Sequence, residues 1–122
     1  MPHINSTQFG EIVIDNKKYH QVLIVGDRVE ERGWEKLKKL FDTSHKIGEW
    51  EVEKLLSNNP EIIIIGTGQD GAMASEEPAA SLRKQAGENI EIIIEPTPKA
   101  IEIYNEQVKL GEKVNALIHT TC

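Results

Sequence analysis

The sequence predicts a single α/β domain, residues 1–122, whose second half is built as βαβαβ and whose first half opens with a β-hairpin. Three observations support this prediction. After Pro60, three uninterrupted apolar runs alternate with two helical segments, as parallel strands covered on both faces do. Before Pro60, two β-branched and aromatic runs flank a tight turn. The 122 residues, 39 % of them hydrophobic, suffice for one core but not for two.

The N-terminal half begins with two predicted strands, Phe9 to Ile14 and Tyr19 to Val25. The segment between them opens with Asp15-Asn16, a pair that favours a tight turn, so the two strands are expected to form a hairpin. Gly26-Asp27 marks a second turn, and Arg28 to Glu30 is expected to extend into a short third strand.

Two helices are predicted between the hairpin and Pro60. In the first, within residues 31–47, apolar side chains recur at helical spacing. Those side chains are Trp34, Leu37, Leu40 and Phe41. The second follows Gly48, where Val52, Leu55 and Leu56 form an apolar stripe, with glutamates early in the helix and a lysine late. It is expected to stop before Pro60.

The second half supplies three predicted strands and two helices. The strands are Ile62 to Ile65, Ile90 to Ile94 and Val114 to His119. The first helix, Pro78 to Ala86, is expected to end at Gly87, because glycine adopts the left-handed conformation of a helix C-cap at little cost.

The second of these helices has a stronger start signal. Thr97 is a good N-cap residue and Pro98 suits the first helical position. Right-handed crossovers are expected to place both helices on one side of the sheet, which leaves the other side for the hairpin and the helix that carries Trp50.

Composition and charge exclude several classes of protein. Twenty acidic residues against fourteen basic ones give a net charge of -6, which argues against a protein that binds nucleic acid by neutralising phosphates. No apolar run approaches the roughly 18 residues of a membrane span, so no membrane association is expected. The sequence shows no signal-like segment, and its lone cysteine, Cys122, is compatible with a reducing compartment. Both features predict a cytoplasmic protein.

Four motifs, taken in order, give the sequence a resemblance to a known family. They are Thr43-Ser44-His45, the run from Ile62 to Gly68 with Gly71, Glu95-Pro96-Thr97-Pro98, and the C-terminal stretch from Ala116 to Cys122. The chain resembles the DUF498 family, also called the Mth938-domain family, over almost its whole length. That family includes an adipogenesis-associated protein and, more distantly, a mitochondrial complex I assembly factor. The resemblance implies an α/β fold with a central mixed sheet and, for most members, no established enzymatic activity.

The glycine loop, Gly66-Thr67-Gly68-Gln69-Asp70-Gly71, is the sharpest local motif. It follows a predicted strand, and glycines let backbone N–H groups approach a phosphate closely. Gly66, Thr67, Gly68 and Gly71 are therefore candidate contacts for a nucleotide or another anionic ligand. The alternative is that these glycines only allow a tight exit from the strand. A dinucleotide would also need a second half-fold that a chain of this length does not supply.

Three further polar side chains are candidate ligand contacts: Ser44, His45 and His119. Ser44 and His45 lie in a non-periodic segment where a serine could equally bond its own backbone. His119 and Cys122 would serve as base and nucleophile only if the chain turned after the strand, since their spacing puts them on opposite faces. No catalytic residue is predicted. None of the four histidines or the cysteine is spaced from another such residue as metal ligands are. Neither a metal nor a cofactor is therefore predicted.

Trp34 and Trp50 are candidate partner contacts, because tryptophan is enriched at the centres of protein interfaces; both could equally fill the core. These observations together favour a non-enzymatic binding or assembly module with a protein partner. The alternative is a small-molecule or nucleotide binder, or an enzyme, that uses the glycine loop. Edge strands of the hairpin could pair between copies, which leaves a homodimer open.

Overall fold

The computed structural model describes residues 1–32, 47–71 and 76–121. Within them lie two β-sheets and three helices. The strands are β1 (Ile4–Gln8), β2 (Glu11–Ile14), β3 (Lys17–Tyr19), β4 (Val22–Val25), β5 (Arg28–Glu31), β6 (Ile62–Thr67), β7 (Glu91–Glu95) and β8 (Val114–His119). The helices are α1 (Glu49–Leu56), α2 (Glu76–Ala86) and α3 (Thr97–Lys109). The helix predicted around Trp34 falls outside the described residues.

The central sheet is mixed and has the strand order β5-β4-β8-β6-β7. β6 pairs in parallel with both β7 and β8, while β4 is antiparallel to β8 and β5. The predicted βαβαβ half is therefore confirmed, with strand bounds within a few residues of the expected ones. β8, the last strand in the chain, lies at the centre of the sheet.

The predicted N-terminal hairpin is only partly right. β2 and β3 form it, and the turn residues Asp15 and Asn16 have φ angles of 49° and 67°, as the favoured hairpin turn requires. However, β1 adds a third strand to this sheet, and the run from Tyr19 to Val25 is divided. Its second part, β4, leaves for the central sheet, where β5 pairs with it as predicted. β1 gave little signal because only Ile4 of its side chains is buried.

The prediction that both crossover helices share one side of the sheet is wrong. The chain moves outward from β6 to β7 and then returns across β6 to β8, so two right-handed crossovers lie on opposite faces. Ala100 and Tyr104 of α3 pack with Ile12 and Ile14 of the N-terminal sheet on one face. Leu82 of α2 packs with Val52 and Leu55 of α1 on the other.

The isoleucines of β6 face both cores in alternation: Ile62 and Ile64 face α3, and Ile63 and Ile65 face α1 and α2. Each of the four is at most 6 % exposed. This double burial explains why the strand reads as an unbroken apolar run. Among the described residues, no helix is both long and apolar enough to cross a membrane.

Candidate functional site

The candidate site is the rim where β6 and β8 end side by side, with Thr67 paired to His119. The chain's progression across the sheet reverses between these strands, since β6 is followed by β7 on one side and β8 lies on the other. In open α/β sheets, ligands bind at carboxyl strand ends where the order reverses. The structure therefore brings the predicted residues of the glycine loop and His119 to one rim.

Thr97 ties this rim together. Its Oγ1 accepts a hydrogen bond from the Gly68 amide at 3.0 Å and donates one to the carbonyl oxygen of His119. Its own amide donates to the Gly68 oxygen at 2.9 Å, and the side chain is fully buried. Thr97 is therefore the first residue of α3, not its N-cap as predicted; Pro96 holds the cap position. The Thr97 hydroxyl therefore bonds the backbone at the ends of β6 and β8 and does not cap the helix.

The glycines of the loop serve this close packing. A Cβ at Gly66 would lie 2.8 Å from Thr97 Oγ1, so a larger residue would push the helix start away from the strand. Gly71 has a φ of 72° and closes a turn by donating its amide to the Gly68 oxygen at 3.1 Å. The amides of Gly68 and Gly71 are thus both engaged within the protein.

Beneath the rim, His119 belongs to a buried network of hydrogen-bonded side chains. His119 Nδ1 lies 2.7 Å from Gln21 Oε1, an oxygen that also accepts a bond from Arg32 Nη1 at 2.9 Å. Because that oxygen can only accept, Nδ1 carries the proton and donates. Nε2 lies 3.0 Å from the Thr121 hydroxyl oxygen, within hydrogen-bond distance. These bonds satisfy both nitrogens of the ring.

The other end of this hydrogen-bond network is a buried ion pair. Arg32 donates from Nε and Nη2 to the two oxygens of Glu51 at 2.7 and 2.9 Å, with both side chains fully buried. Glu51 Oε1 also accepts the Gly48 amide at 3.0 Å. Sequence reasoning missed this pair, although Glu51 stands four residues before Leu55 on the apolar stripe of α1. That spacing was the available signal.

A tight turn at Phe9-Gly10 stands beside the rim. The Gly10 amide donates to the Thr120 oxygen at 3.0 Å, and His20 Nδ1 donates to the Gly10 oxygen at 2.8 Å. Gln69 of the glycine loop donates to the Gln8 oxygen at 3.1 Å. The Phe9 side chain is nevertheless 69 % exposed. Phe9 was also missed, because it reads as part of a strand.

Of the remaining predicted residues, the structure describes only Trp50. Ser44, His45 and Trp34 lie outside the described residues, as does Cys122. Trp50 is half-buried on α1, with its ring against Gly48, where a Cβ would lie 2.2 Å from the ring. In the described ranges, no group of three or more His, Cys, Asp or Glu side chains is arranged to hold a metal ion.

Comparisons with known proteins agree with this fold. The family model for proteins of unknown function DUF498/DUF598 matches residues 4–119. The solved structure named MT938 is 31 % identical, with a TM-score of 0.77 and full coverage of both chains. The conserved hypothetical protein PH1505 from Pyrococcus horikoshii OT3 is 28 % identical, with a TM-score of 0.72 and 98 % of each chain covered.

A more distant structure shares the fold alone. It is a Mth938-like domain protein from Bordetella pertussis, solved by NMR in solution, which is 14 % identical with a TM-score of 0.57. The alignment covers 98 % of this chain and 88 % of that one. None of the curated proteins matches this sequence. The family match and the identity to MT938 together show that the chain belongs to the DUF498 family, the Mth938-like proteins of unknown function.

Proposed function

We propose that this protein is a non-enzymatic binding module that engages a protein partner through the rim, with Phe9 as the anchor. The observation behind the proposal is the exposure of Phe9 on a turn whose backbone is held by hydrogen bonds from three separate parts of the chain. Large aromatic side chains dominate the energy of protein interfaces, and a turn held in advance loses little entropy on binding.

The surroundings of Phe9 resemble the edge of an interface. Gln69, His20 and Thr7 lie around the turn and have their hydrogen bonds to one another or to the backbone. Polar groups that are already satisfied can border an apolar anchor without the cost of leaving unpaired donors on binding. The single cysteine fits a reducing compartment, and we place this contact in the cytoplasm.

A small-molecule ligand at the glycine loop is the second candidate, and the reversal of strand order at the rim favours it. The engaged amides of Gly68 and Gly71 count against it, because a phosphate would have to displace Thr97 or break the turn. A thermal-shift screen against nucleotides and phosphorylated metabolites distinguishes the two candidates. A ligand at 100 times its Kd raises the free energy of unfolding by about 2.7 kcal/mol.

The protein-binding proposal is tested with Phe9→Ser and a matched control, Leu110→Ser. Leu110 is 67 % exposed, close to the value for Phe9, but follows α3 at the other end of that helix. Tagged versions of the three proteins are used to capture partners from native extract. We expect at least one protein to be retained by wild type and Leu110→Ser and bound at least about 30-fold more weakly by Phe9→Ser.

The melting temperatures of the three proteins should agree, since surface substitutions change stability by about 0.5 kcal/mol or less. Capture of no protein whose binding depends on Phe9 would count against the proposal. So would equal loss of binding in both variants.

A further inference from the structure

The edge of the central sheet formed by β7 differs from the edge formed by β5. β5 carries charges along its length, and Glu30 there is paired with Lys54 of α1 at 2.8 Å. β7 has three consecutive isoleucines, Ile92 to Ile94, each half-buried although the strand is outermost. Exposed charges protect an edge from pairing with other chains, and an apolar edge invites it.

The backbone of β7 has groups that no described strand satisfies. The Glu91 amide donates to the Glu61 oxygen, and the Glu95 oxygen accepts from Thr67, so both residues point their backbone toward β6. Because this direction alternates along a strand, the N–H and C=O groups of Ile92 and Ile94 point outward. They form a row on which a further strand could pair.

Apolar side chains border this row on both faces. Ile93 is half-buried beside the core under α3, where Ile103 is half-buried as well. Ile92 and Ile94 are half-buried on the face of α1 and α2. A strand added here would therefore gain apolar contacts on both of its faces as well as backbone hydrogen bonds.

A glutamate stands at each end of β7. Glu91 and Glu95 share the face of Ile93, and neither forms an ion pair in the part of the chain that the structure describes. The field around Glu91 is negative. The pKa of nearby Glu112 is raised, first by its hydrogen bond with Glu61 and also by the charges of Glu61 and Glu91.

These charges select the occupant of the edge. In a two-fold antiparallel pair of β7 with a second copy, centred on Ile93, Glu91 of each chain would stand opposite Glu95 of the other. Like charges directly opposite one another are destabilising. A strand with lysines at the same two positions would instead form two favourable cross-strand pairs.

We propose that the β7 edge binds an extended segment of a partner protein in which three apolar residues are flanked by lysine or arginine. The segment adds a sixth strand to the central sheet, with its basic residues opposite Glu91 and Glu95. This surface is formed by β7, whereas Phe9 lies on the turn between β1 and β2, so the inference stands without the proposed contact at the rim.

The test uses the full chain, isotopically labelled for NMR, and two synthetic peptides, acetyl-SKVVVKS-amide and acetyl-SEVVVES-amide. The basic peptide should shift the amides of Ile92 and Ile94 and protect them from hydrogen exchange. It should bind about tenfold more tightly than the acidic peptide, since two cross-strand charge pairs differ. Added salt should reduce that preference.

The charge-reversal variant Glu91→Lys/Glu95→Lys is the decisive comparison, because it should prefer the acidic peptide by a similar factor. Ile92→Pro, which removes one outward donor, should weaken both peptides. Equal affinity of the two peptides, or shifts confined to other strands, would overturn the proposal. Protection of Ile92 that rises with protein concentration in the absence of peptide would overturn it too, by identifying a second copy as the occupant instead.

Discussion

At the scale of single residues, the described part of the core holds one polar side chain without a hydrogen-bond partner. The hydroxyl of Tyr104 is fully buried between α3 and the N-terminal sheet and forms no hydrogen bond within the described residues. Burial raises the pKa of this hydroxyl well above its usual value of 10.0, and the charges of Asp15 and Asp27 raise it further. The folded protein therefore strongly favours the neutral form.

This environment predicts how Tyr104→Phe behaves. At neutral pH the variant should be as stable as wild type or more stable by up to about 1 kcal/mol, because no hydrogen bond is lost. Above about pH 10 the unfolded chain releases the tyrosine proton while the folded chain keeps it, so wild-type stability falls as pH rises. The free energy of unfolding of Tyr104→Phe, measured in urea, should fall less steeply with pH over that range.

Tyr19→Phe is the control, since it leaves the buried hydroxyl of Tyr104 in place. Its free energy of unfolding should fall with rising pH as that of wild type does. A drop of more than about 1 kcal/mol for Tyr104→Phe at neutral pH would show that the hydroxyl has a bond that the structure lacks.

Residue types alone explain which parts of the site could be predicted. Glycines after an isoleucine strand and a histidine at the end of another are visible in the sequence, and the structure places Gly68 and His119 on one rim. The role of Thr97 was not visible, because its hydroxyl bonds depend on how three elements meet. Arg32 and Glu51 read as solvated charges. The spacing of Glu51 from Leu55 indicated the buried face of α1, but no local pattern identified Arg32 as its partner.

At the scale of elements, the buried ion pair fastens α1 to the residue that follows β5. Arg32 donates its own amide to the Gln21 oxygen at 2.8 Å, and Glu51 also caps the start of α1 through Gly48. Removing one charge of such a pair leaves the other buried and uncompensated, which costs more than replacing both with apolar groups.

We therefore expect Glu51→Leu and Arg32→Met each to lower the free energy of unfolding by about 3–5 kcal/mol. The double variant should recover much of that loss, which a double-mutant cycle from urea unfolding measures. Glu30→Leu, which removes the exposed pair with Lys54, should cost about 1 kcal/mol or less. Additive losses in the double variant would contradict this account.

Local patterns were reliable for elements and unreliable for their arrangement. The isoleucine runs predicted strands correctly and the Asp15-Asn16 turn predicted the position of the hairpin turn, because burial and backbone preference act within a few residues. The extent of the second hairpin strand was wrong, since β4 pairs in the central sheet. β1 was missed because its side chains are mostly exposed and polar. The predicted placement of α2 and α3 on one face of the sheet was wrong, because strand order is decided by pairings between residues far apart in the chain.

At the scale of the whole molecule, the small N-terminal sheet and the central sheet share one core. Ile4, Ile12 and Ile14 pack in the same cluster as Val22 and Ile24 of β4. Asn105 of α3 adds a polar link, since its amide exchanges hydrogen bonds with the backbone of Ile4 at 2.9 and 2.8 Å. Neither sheet can separate without exposing apolar surface of the other.

Shared burial predicts one cooperative unfolding unit. Hydrogen exchange followed by NMR should give the same free energy of opening for the paired amides of β2 and β8, equal to the global value from urea unfolding. An amide in the exposed part of β1 serves as the comparison and should exchange by local fraying. A clearly lower value for β2 would show that the N-terminal sheet opens separately.

The central place of β8 bears on how the chain reaches its native state during synthesis. β4 and β6 are separated by 36 intervening positions, and each needs β8 as its hydrogen-bonded neighbour. A nascent chain that still lacks β8 therefore presents two open strands to the surrounding medium. Completion of the sheet has to wait until residues 114–119 have left the ribosome, and until then the edges of β4 and β6 that β8 covers in the native sheet are exposed to other chains.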